Sequence, residues 1–244
     1  DKYWLFIDGN EQFSTFDEEK YHEPLVHPAM SISTQRKNVL ILGGGEGLAV
    51  RELLKYRDVE RITVVDIDPE ITELAKHNPV ITKINQNSMI DIRLQVLNQD
   101  ALKFVENSED FFDVIIVDLP DPNSIHLARL YSREFYTLCL HRLAKYGILV
   151  TQASSPVHSV NSFLCVINTM ESAGFTVLPY HNNVPTLGEW GWCLGMKRET
   201  TTFDELKSKV MEIDLKNIPT LFLNNEAIIS MIHFGKGIWT KREK

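Results

Sequence analysis

The sequence predicts an α/β fold built on a doubly wound, mostly parallel sheet. The first observation is a set of five apolar runs typical of buried parallel strands, at 38–42, 61–65, 92–97, 113–117 and 147–151. The second is that helical patterns follow these runs, at 47–56, 69–77, 100–106, 132–143 and 158–173. Strands that alternate with helices form a parallel sheet covered on both faces. The third is a pair of later strands, near 175–180 and 190–197, separated by a short turn, which predicts an antiparallel pair closing one sheet edge.

The N-terminal residues predict a small β element that precedes this sheet. Two apolar stretches, Tyr3–Ile7 and Gln12–Phe16, flank the turn residues Asp8, Gly9 and Asn10, a pattern typical of a hairpin. Residues 17–37 are interpreted as a linking segment, and residues 203–234 as helices and loops. We therefore divide the chain into a β-hairpin element with its linker, 1–36, and an α/β domain with a C-terminal helical extension, 37–244.

Composition excludes several classes of protein. The 244 residues carry a formal charge of -8 and contain no basic block, which argues against nucleic acid as a partner. The sequence holds no apolar run long enough to cross a membrane, so we expect no membrane contact within it. The three separated cysteines predict buried thiols in a reducing compartment, and we predict no metal site.

A glycine loop follows the first parallel strand and predicts a nucleoside site. Gly43, Gly45 and Gly47 stand between this strand and a helix, and the next strand ends in Asp66, whose carboxylate can accept both ribose hydroxyls. The dinucleotide fingerprint fails, because Leu48 or Val50 would occupy its third small position. Glu46 also repels phosphate, whereas it attracts a sulfonium or an ammonium group.

A second acidic loop, Asp118–Pro122, follows the apolar strand at 113–117. Its two prolines disfavour a helix, so Asp118 and Asp121 are predicted to face the crevice at the carboxyl edge of the sheet, where ligands of open α/β sheets bind. The alternative is a simple turn with a helix-capping aspartate.

Taken together, six stretches resemble spermidine synthase and its polyamine aminopropyltransferase relatives. Their order and spacing match over residues 3 to about 197. The stretches are Phe6–Phe13, Asp17–Glu23, the glycine loop, Val65–Pro69, Gln99–Ala101 and Asp118–Pro122. The resemblance implies a Rossmann-like, methyltransferase-type domain behind a small N-terminal β domain, and a homodimer.

The resemblance also implies a reaction and a role for each site residue. The reaction would move the aminopropyl group of decarboxylated S-adenosylmethionine, a co-substrate rather than a prosthetic group, to a polyamine such as putrescine. Asp118 would accept the proton of the attacking amine with help from Tyr21, and Asp121 would hold ammonium charge. Gln12, His22 and Glu46 would line the aminopropyl and sulfonium end. Asp66 would bind the ribose and Asp100 the adenine amino group.

Ordinary structural roles compete with several of these assignments. Tyr21 and His22 can simply pack on the linker, Asp100 can cap the following helix, and Gln12 can be a surface residue. The chain also departs from the family pattern. The acidic loop contains Leu119 and Pro120, Ala153 and Ser154 replace the usual glycine and glutamate so that an acid is missing, and the turn after Val184 is short. We expect Glu189 to replace part of the lost amine contacts; the alternative is a solvated loop residue.

Two other functions remain open. An S-adenosylmethionine methyltransferase shares the fold and the Asp66 position, and a catalytically silent module could bind nucleoside or polyamine. This variant resembles a branch in which the catalytic part often follows a membrane-spanning region, consistent with a chain that begins at Asp1. We expect a cytoplasmic location.

Overall fold

The computed structural model describes residues 2–7, 9–122 and 124–238. Asp8 of the predicted hairpin turn lies outside the described residues. Nine strands are present in the described part of the chain: β1 Trp4–Ile7, β2 Asn10–Ser14, β3 Asn38–Gly43, β4 Arg61–Asp66, β5 Leu94–Asn98, β6 Phe112–Asp118, β7 Leu143–Gln152, β8 Phe175–Val184 and β9 Gly188–Lys197.

Ten α-helices and two single 3₁₀ turns, Ser88–Ile90 and Arg129–Tyr131, connect or follow these strands in the same described residues. The helices are α1 Glu19–Ile32, α2 Leu48–Leu53, α3 Pro69–His77, α4 Pro79–Ile84, α5 Ala101–Asn107, α6 Ile125–Ala128, α7 Arg133–Arg142, α8 Val160–Ser172, α9 Phe203–Met211 and α10 Asn225–Met231. None of the helices in this part of the chain has the length and apolar character that a membrane crossing requires.

The predicted fold class is confirmed. Seven strands form one sheet in the order β5-β4-β3-β6-β7-β9-β8, and β1 and β2 form a separate antiparallel hairpin. The five strands β3 to β7 run parallel to one another. At one edge β9 pairs antiparallel with β7, and β8 pairs antiparallel with β9. The apolar runs of β3, β4, β6 and β7 are buried because helices pack on both faces of the sheet. The run at 92–97 is the exception: β5 is an edge strand that is only partly buried, and Ile92 is 99% exposed.

The interpretation of residues 17–37 as a linking segment was wrong. Most of this segment is helix α1, which contains Pro24 and Pro28 and is largely buried. A proline inside a helix leaves the carbonyl four residues earlier without its usual donor. In this protein both such carbonyls find a new donor on β8: the Asn182 side chain donates to Lys20 O at 3.0 Å, and the Tyr180 hydroxyl donates to Pro24 O at 2.8 Å. The two prolines are therefore compatible with a helix docked on β8.

Candidate active site

The carboxyl ends of β3 and β6 meet at the centre of the sheet. Gly43 is in register with Asp118, and a Cβ atom on Gly43 would lie 2.0 Å from the Asp118 carbonyl oxygen. Gly43 also has a φ of +86°. Both facts require glycine at this position. The loop can therefore pass directly over the end of β6, and the Asp118 side chain lies beside Gly44.

The same loop is bonded to the end of β4. Gly45 N–H donates to Asp66 Oδ2 at 2.9 Å, and Asp68 N–H donates to Asp66 Oδ1 at 2.9 Å. Burial, with a smaller contribution from the negative charge of Glu46, raises the pKa of Asp66. The carboxylate is thus fixed at the strand end where a ribose would bind. Ile67, which follows it, is 71% exposed although it is apolar, and the sequence analysis gave it no role.

Gly47 has a structural role. It has a φ of +86° and precedes α2, and a Cβ atom there would lie 2.6 Å from Met89 Cγ. Its carbonyl accepts a 2.7 Å hydrogen bond from Ser88 Oγ. The glycine is needed for the turn and for close packing on the 3₁₀ turn, and any ligand contact by Gly47 stays a prediction.

Tyr21 and Asp118 are in direct contact. The Tyr21 hydroxyl, on α1, donates to Asp118 Oδ1 at 2.7 Å. Burial and the charge of Glu46 raise the pKa of Asp118 to about 6, although His22 and the Tyr21 hydrogen bond oppose the rise. A carboxylate with a pKa near 6 is ionised at neutral pH yet basic enough to take a proton. The pair has the geometry of a general base and its orienting partner.

His22 lies between two carboxylates. Its Nδ1 donates to the Glu18 backbone carbonyl at 2.9 Å and lies 3.2 Å from Glu18 Oε2, while its Nε2 lies 3.6 Å from Glu46 Oε1. Burial lowers the pKa of His22, but the hydrogen bond to Glu18 and the negative charges of Glu18 and Glu46 outweigh burial and raise it to about 10. The nearest donor and acceptor atoms of His22, Glu46 and Asp118 all lie within 4.8 Å of one another. The site therefore joins one imidazolium to several carboxylates.

Asp121 faces polar partners at and just after the end of β7. Its Oδ1 accepts from Gln152 Nε2 at 3.1 Å and its Oδ2 accepts from Ser154 Oγ at 3.1 Å. Ser154 has a φ of +62°, an uncommon conformation for a residue other than glycine. The Tyr131 hydroxyl contacts the same loop through Leu119 O at 2.9 Å. The acidic loop is thus held by hydrogen bonds in place of helical structure.

Two tryptophans of β9 form an aromatic wall beside Tyr21. The ring centroids of Trp190 and Trp192 lie 6.3 and 5.6 Å from that of Tyr21. Both belong to the same face of β9, because residues two apart in a strand share a face. Sequence reasoning missed this wall, and the alternation Trp190-Gly191-Trp192 was the signal that could have found it.

Glu189 lies on the opposite face of β9 from Trp190. Its carboxylate is paired with the imidazole of His181, whose Nε2 donates to His233 O at 2.9 Å. Gly191, two residues further along β9, is on the same face as Glu189, and this face packs against the ring of Phe163. The Glu189 carboxylate therefore already has a partner on the neighbouring strand β8. Its contact with an amine substrate stays a prediction.

Two further predicted residues have local hydrogen-bond partners. Gln12 donates its side-chain amide to Asn10 O at 3.2 Å. Asp100 caps α5 by accepting from Lys103 N–H at 3.1 Å and pairs with Arg129. Roles for Gln12 at the aminopropyl end and for Asp100 at adenine stay predictions.

A buried ion network behind the site was not predicted from the sequence. Arg51 on α2 donates to both oxygens of Glu18, at 2.7 and 2.8 Å, and to Glu52 Oε1 at 2.9 Å. Glu52 in turn lies 2.8 Å from His27 Nε2. Burial raises the pKa of Glu18, but hydrogen bonds to His22 and Arg51 outweigh burial and lower it to about 2. Burial likewise raises the pKa of Glu52, but its hydrogen bond to His27 and the charge of Arg51 lower it to about 2. The network links α1 to the helix that opens after the glycine loop.

Comparison with known proteins gives a consistent family. The spermine/spermidine synthase domain family matches residues 18–207. A polyamine aminopropyltransferase of Oceanobacillus iheyensis is 40% identical over 234 residues, which cover 95% of this chain and 44% of the relative. Polyamine aminopropyltransferase 2 of Aquifex aeolicus is 42% identical over 238 residues, which cover 97% of this chain and 46% of the relative. The chain thus spans less than half the length of these relatives.

Two solved structures share the fold. A crystal structure of a spermidine synthase in complex with the transition-state analogue AdoDATO superimposes with a TM-score of 0.87 at 24% identity, covering 98% of this chain and 80% of the other. The spermidine synthase of Thermotoga maritima superimposes with a TM-score of 0.84 at 25% identity over the same shares. The complete described fold therefore has experimental counterparts.

Proposed function

This chain belongs to the spermine/spermidine synthase family, and we propose from that premise that it transfers an aminopropyl group from decarboxylated S-adenosylmethionine to a polyamine. The observation that carries the proposal is the Tyr21 hydrogen bond to Asp118, inside a cluster of carboxylates at the carboxyl edge of the sheet. Relatives that match most of the chain are named polyamine aminopropyltransferases. The chemistry of the site supports the same reaction.

The proposed step is a direct displacement at carbon. The lone pair of the acceptor amine forms a bond to the aminopropyl carbon that is attached to the sulfonium sulfur. The C–S bond breaks, its electron pair stays on sulfur, and methylthioadenosine leaves as a neutral thioether. The Asp118 carboxylate takes the proton lost by the attacking nitrogen, and the Tyr21 hydroxyl orients that carboxylate. The enzyme then supplies alignment and a negative environment for the cationic reactants.

The donor site follows from the loop and strand ends. We propose that Asp66 accepts the ribose hydroxyls, that Ile67 lies against the adenine and that Asp100 binds the adenine amino group. Gly43 and Gly45 let the backbone approach the nucleoside, while Glu46, Gln12 and His22 lie at the aminopropyl and sulfonium end. Glu46 supports this choice, because its buried Oε1 has no hydrogen-bond partner among the described residues. A sulfonium group is attracted by a negative charge nearby and has no hydrogen to donate to the carboxylate.

The acceptor site lies at the acidic loop. We propose that Asp121 holds an ammonium group of the polyamine, supported by Gln152 and Ser154. Glu189 would contribute only after exchanging its contact with His181. We further propose that the chain forms a homodimer through the aromatic hairpin and works in the cytoplasm.

Calorimetry and product analysis test the function. Decarboxylated S-adenosylmethionine and methylthioadenosine should bind, whereas NAD should not. Mixing the decarboxylated donor with putrescine should yield spermidine and methylthioadenosine in equal amounts by mass spectrometry. A preference for intact S-adenosylmethionine with transfer of a methyl group would favour a methyltransferase. Binding of nucleoside or polyamine without any product would identify a silent binding module.

A further inference from the structure

The Glu18–Arg51 pair lies directly behind the candidate active site. Glu18 and Arg51 are both buried and joined by two hydrogen bonds, at 2.7 and 2.8 Å. The Glu18 Oε2 atom also lies 3.2 Å from Nδ1 of His22. A buried carboxylate held by a bidentate arginine is a fixed negative charge. The His22 ring thus lies between two carboxylates, with Glu18 near Nδ1 and Glu46 near Nε2.

We propose that Glu18 is a positioning residue that, held by Arg51, keeps His22 as an imidazolium facing Glu46 and Asp118. The expected effect on substrate binding rests on the proposed function: the positive charge of His22 would limit how many cationic groups the site accepts. It concerns a residue that touches no reactant. Its action on the site passes through His22.

The orientation of His22 supports this role. Nδ1 lies against the Glu18 backbone carbonyl at 2.9 Å, and because a carbonyl only accepts, Nδ1 carries a proton. The state of Nε2 therefore decides the charge of the ring. Nε2 faces Glu46 Oε1 at 3.6 Å, and the charged groups around the ring are Glu18 before α1, Glu46 on the glycine loop and Asp118 at the end of β6. The phenol of Tyr21 completes the set, with its ring centroid 5.0 Å away.

The network provides a matched control. Glu52 is also buried, also accepts from Arg51 and also contacts a buried histidine, His27, at 2.8 Å. Of the two carboxylates, Glu18 is the one bonded to His22. Glu18→Gln and Glu52→Gln each remove one buried charge from the same arginine, so a difference between them isolates the contact with His22.

The direct test is an NMR titration of the histidine rings in the ligand-free protein. The chain has eight histidines, and loss of one signal in His22→Gln identifies His22. In the unchanged protein His22 should stay protonated beyond pH 9. Glu18→Gln should lower its midpoint by about one pH unit or more, because an opposite charge at this distance raises a histidine pKa by that amount. Glu52→Gln should leave the His22 midpoint in place.

Calorimetry then tests the consequence for binding. As pH rises through the His22 midpoint that the titration gives for Glu18→Gln, this variant should gain affinity for decarboxylated S-adenosylmethionine by roughly tenfold, since a buried like charge nearby is removed. Affinity for the neutral methylthioadenosine should stay constant, and the unchanged protein should show a smaller gain over the same pH range because its His22 midpoint is higher.

Several results would overturn the proposal. One is a titration midpoint of His22 near pH 6.5 in the unchanged protein. This measurement decides the proposal even if the Glu18 variant does not fold. Another is an equal shift in the Glu18 and Glu52 variants. Failure of both nucleosides to bind would instead contradict the proposed function, and the titration would still decide the role of Glu18.

Discussion

The Tyr21 hydroxyl donates a 2.7 Å hydrogen bond to Asp118 Oδ1 and thereby joins helix α1 to the end of strand β6. The two residues are 97 positions apart in the sequence. Burial would by itself keep the Asp118 carboxyl protonated to higher pH, and this hydrogen bond favours its ionised form. The contact therefore orients the proposed base and moderates the rise in its pKa that burial and Glu46 cause.

Removal of the Tyr21 hydroxyl should slow transfer. Tyr21→Phe leaves the ring beside Trp192 but deletes a hydrogen bond to a charged group, which is worth about 1.5 to 3 kcal/mol. We expect kcat to fall about ten- to a hundredfold in steady-state assays. The control is Tyr146→Phe, because Tyr146 is 54% exposed. An unchanged kcat in Tyr21→Phe would show that the hydrogen bond has no part in the reaction.

The rate should depend on pH through Asp118. The base must be ionised, so activity is lost as pH falls through the pKa of about 6 and rises above it. His22→Gln should move this acidic limb to higher pH, because the positive charge of His22 lowers the pKa of Asp118. The profile of kcat/KM from pH 5 to 9 measures both effects. A flat profile across pH 6 contradicts the assignment.

Gly45→Ala should weaken binding of the nucleoside. The new Cβ atom would lie 2.6 Å from Asp66 Oδ2, so the carboxylate proposed to bind ribose must move. We expect affinity for methylthioadenosine to drop by about tenfold or more, equivalent to about 1.4 kcal/mol, in calorimetry. Gly235→Ala is the control, since a Cβ atom there meets nothing within 4 Å. Equal affinities in the two variants would place the ribose elsewhere.

The N-terminal hairpin should form a dimer interface. Trp4 and Phe6 are 49% and 56% exposed, and apolar patches of this kind commonly bind a second protein surface. Light scattering at micromolar concentration should give about twice the 28.0 kDa mass of the chain. Changing Trp4→Lys and Phe6→Lys together should give the monomer mass. A 28.0 kDa particle in the unchanged protein would refute the dimer.

The sequence predicts the central sheet well because its determinants are local. Helix α3 has the predicted bounds, Pro69–His77, since the Asp68 side chain accepts from Glu70 N–H and a proline begins the helix. Continuous apolar runs likewise predict buried parallel strands. Here each decisive feature lies within the element itself.

Helix α1 was not predicted because the hydrogen-bond donors that make its two prolines tolerable lie far away in the sequence. Pro24 and Pro28 are local reasons against a helix, and the donors that satisfy the freed carbonyls, Asn182 and Tyr180, come from β8. The Glu18–Arg51 pair was missed for the same reason, since its members are 33 residues apart. The sequence brought Asp118 and Tyr21 into one proposal only through a family resemblance, and their contact depends on where α1 docks.

The most direct test of the central claim compares binding and transfer in Asp118→Asn. The amide keeps the size of the side chain but cannot accept the amine proton, so transfer from decarboxylated S-adenosylmethionine to putrescine should fall on the order of a hundredfold or more. The affinity for the donor, measured by calorimetry on the same preparation, should stay within about threefold, because the lost group acts on the acceptor. Full transfer activity in this variant would remove Asp118 from the mechanism.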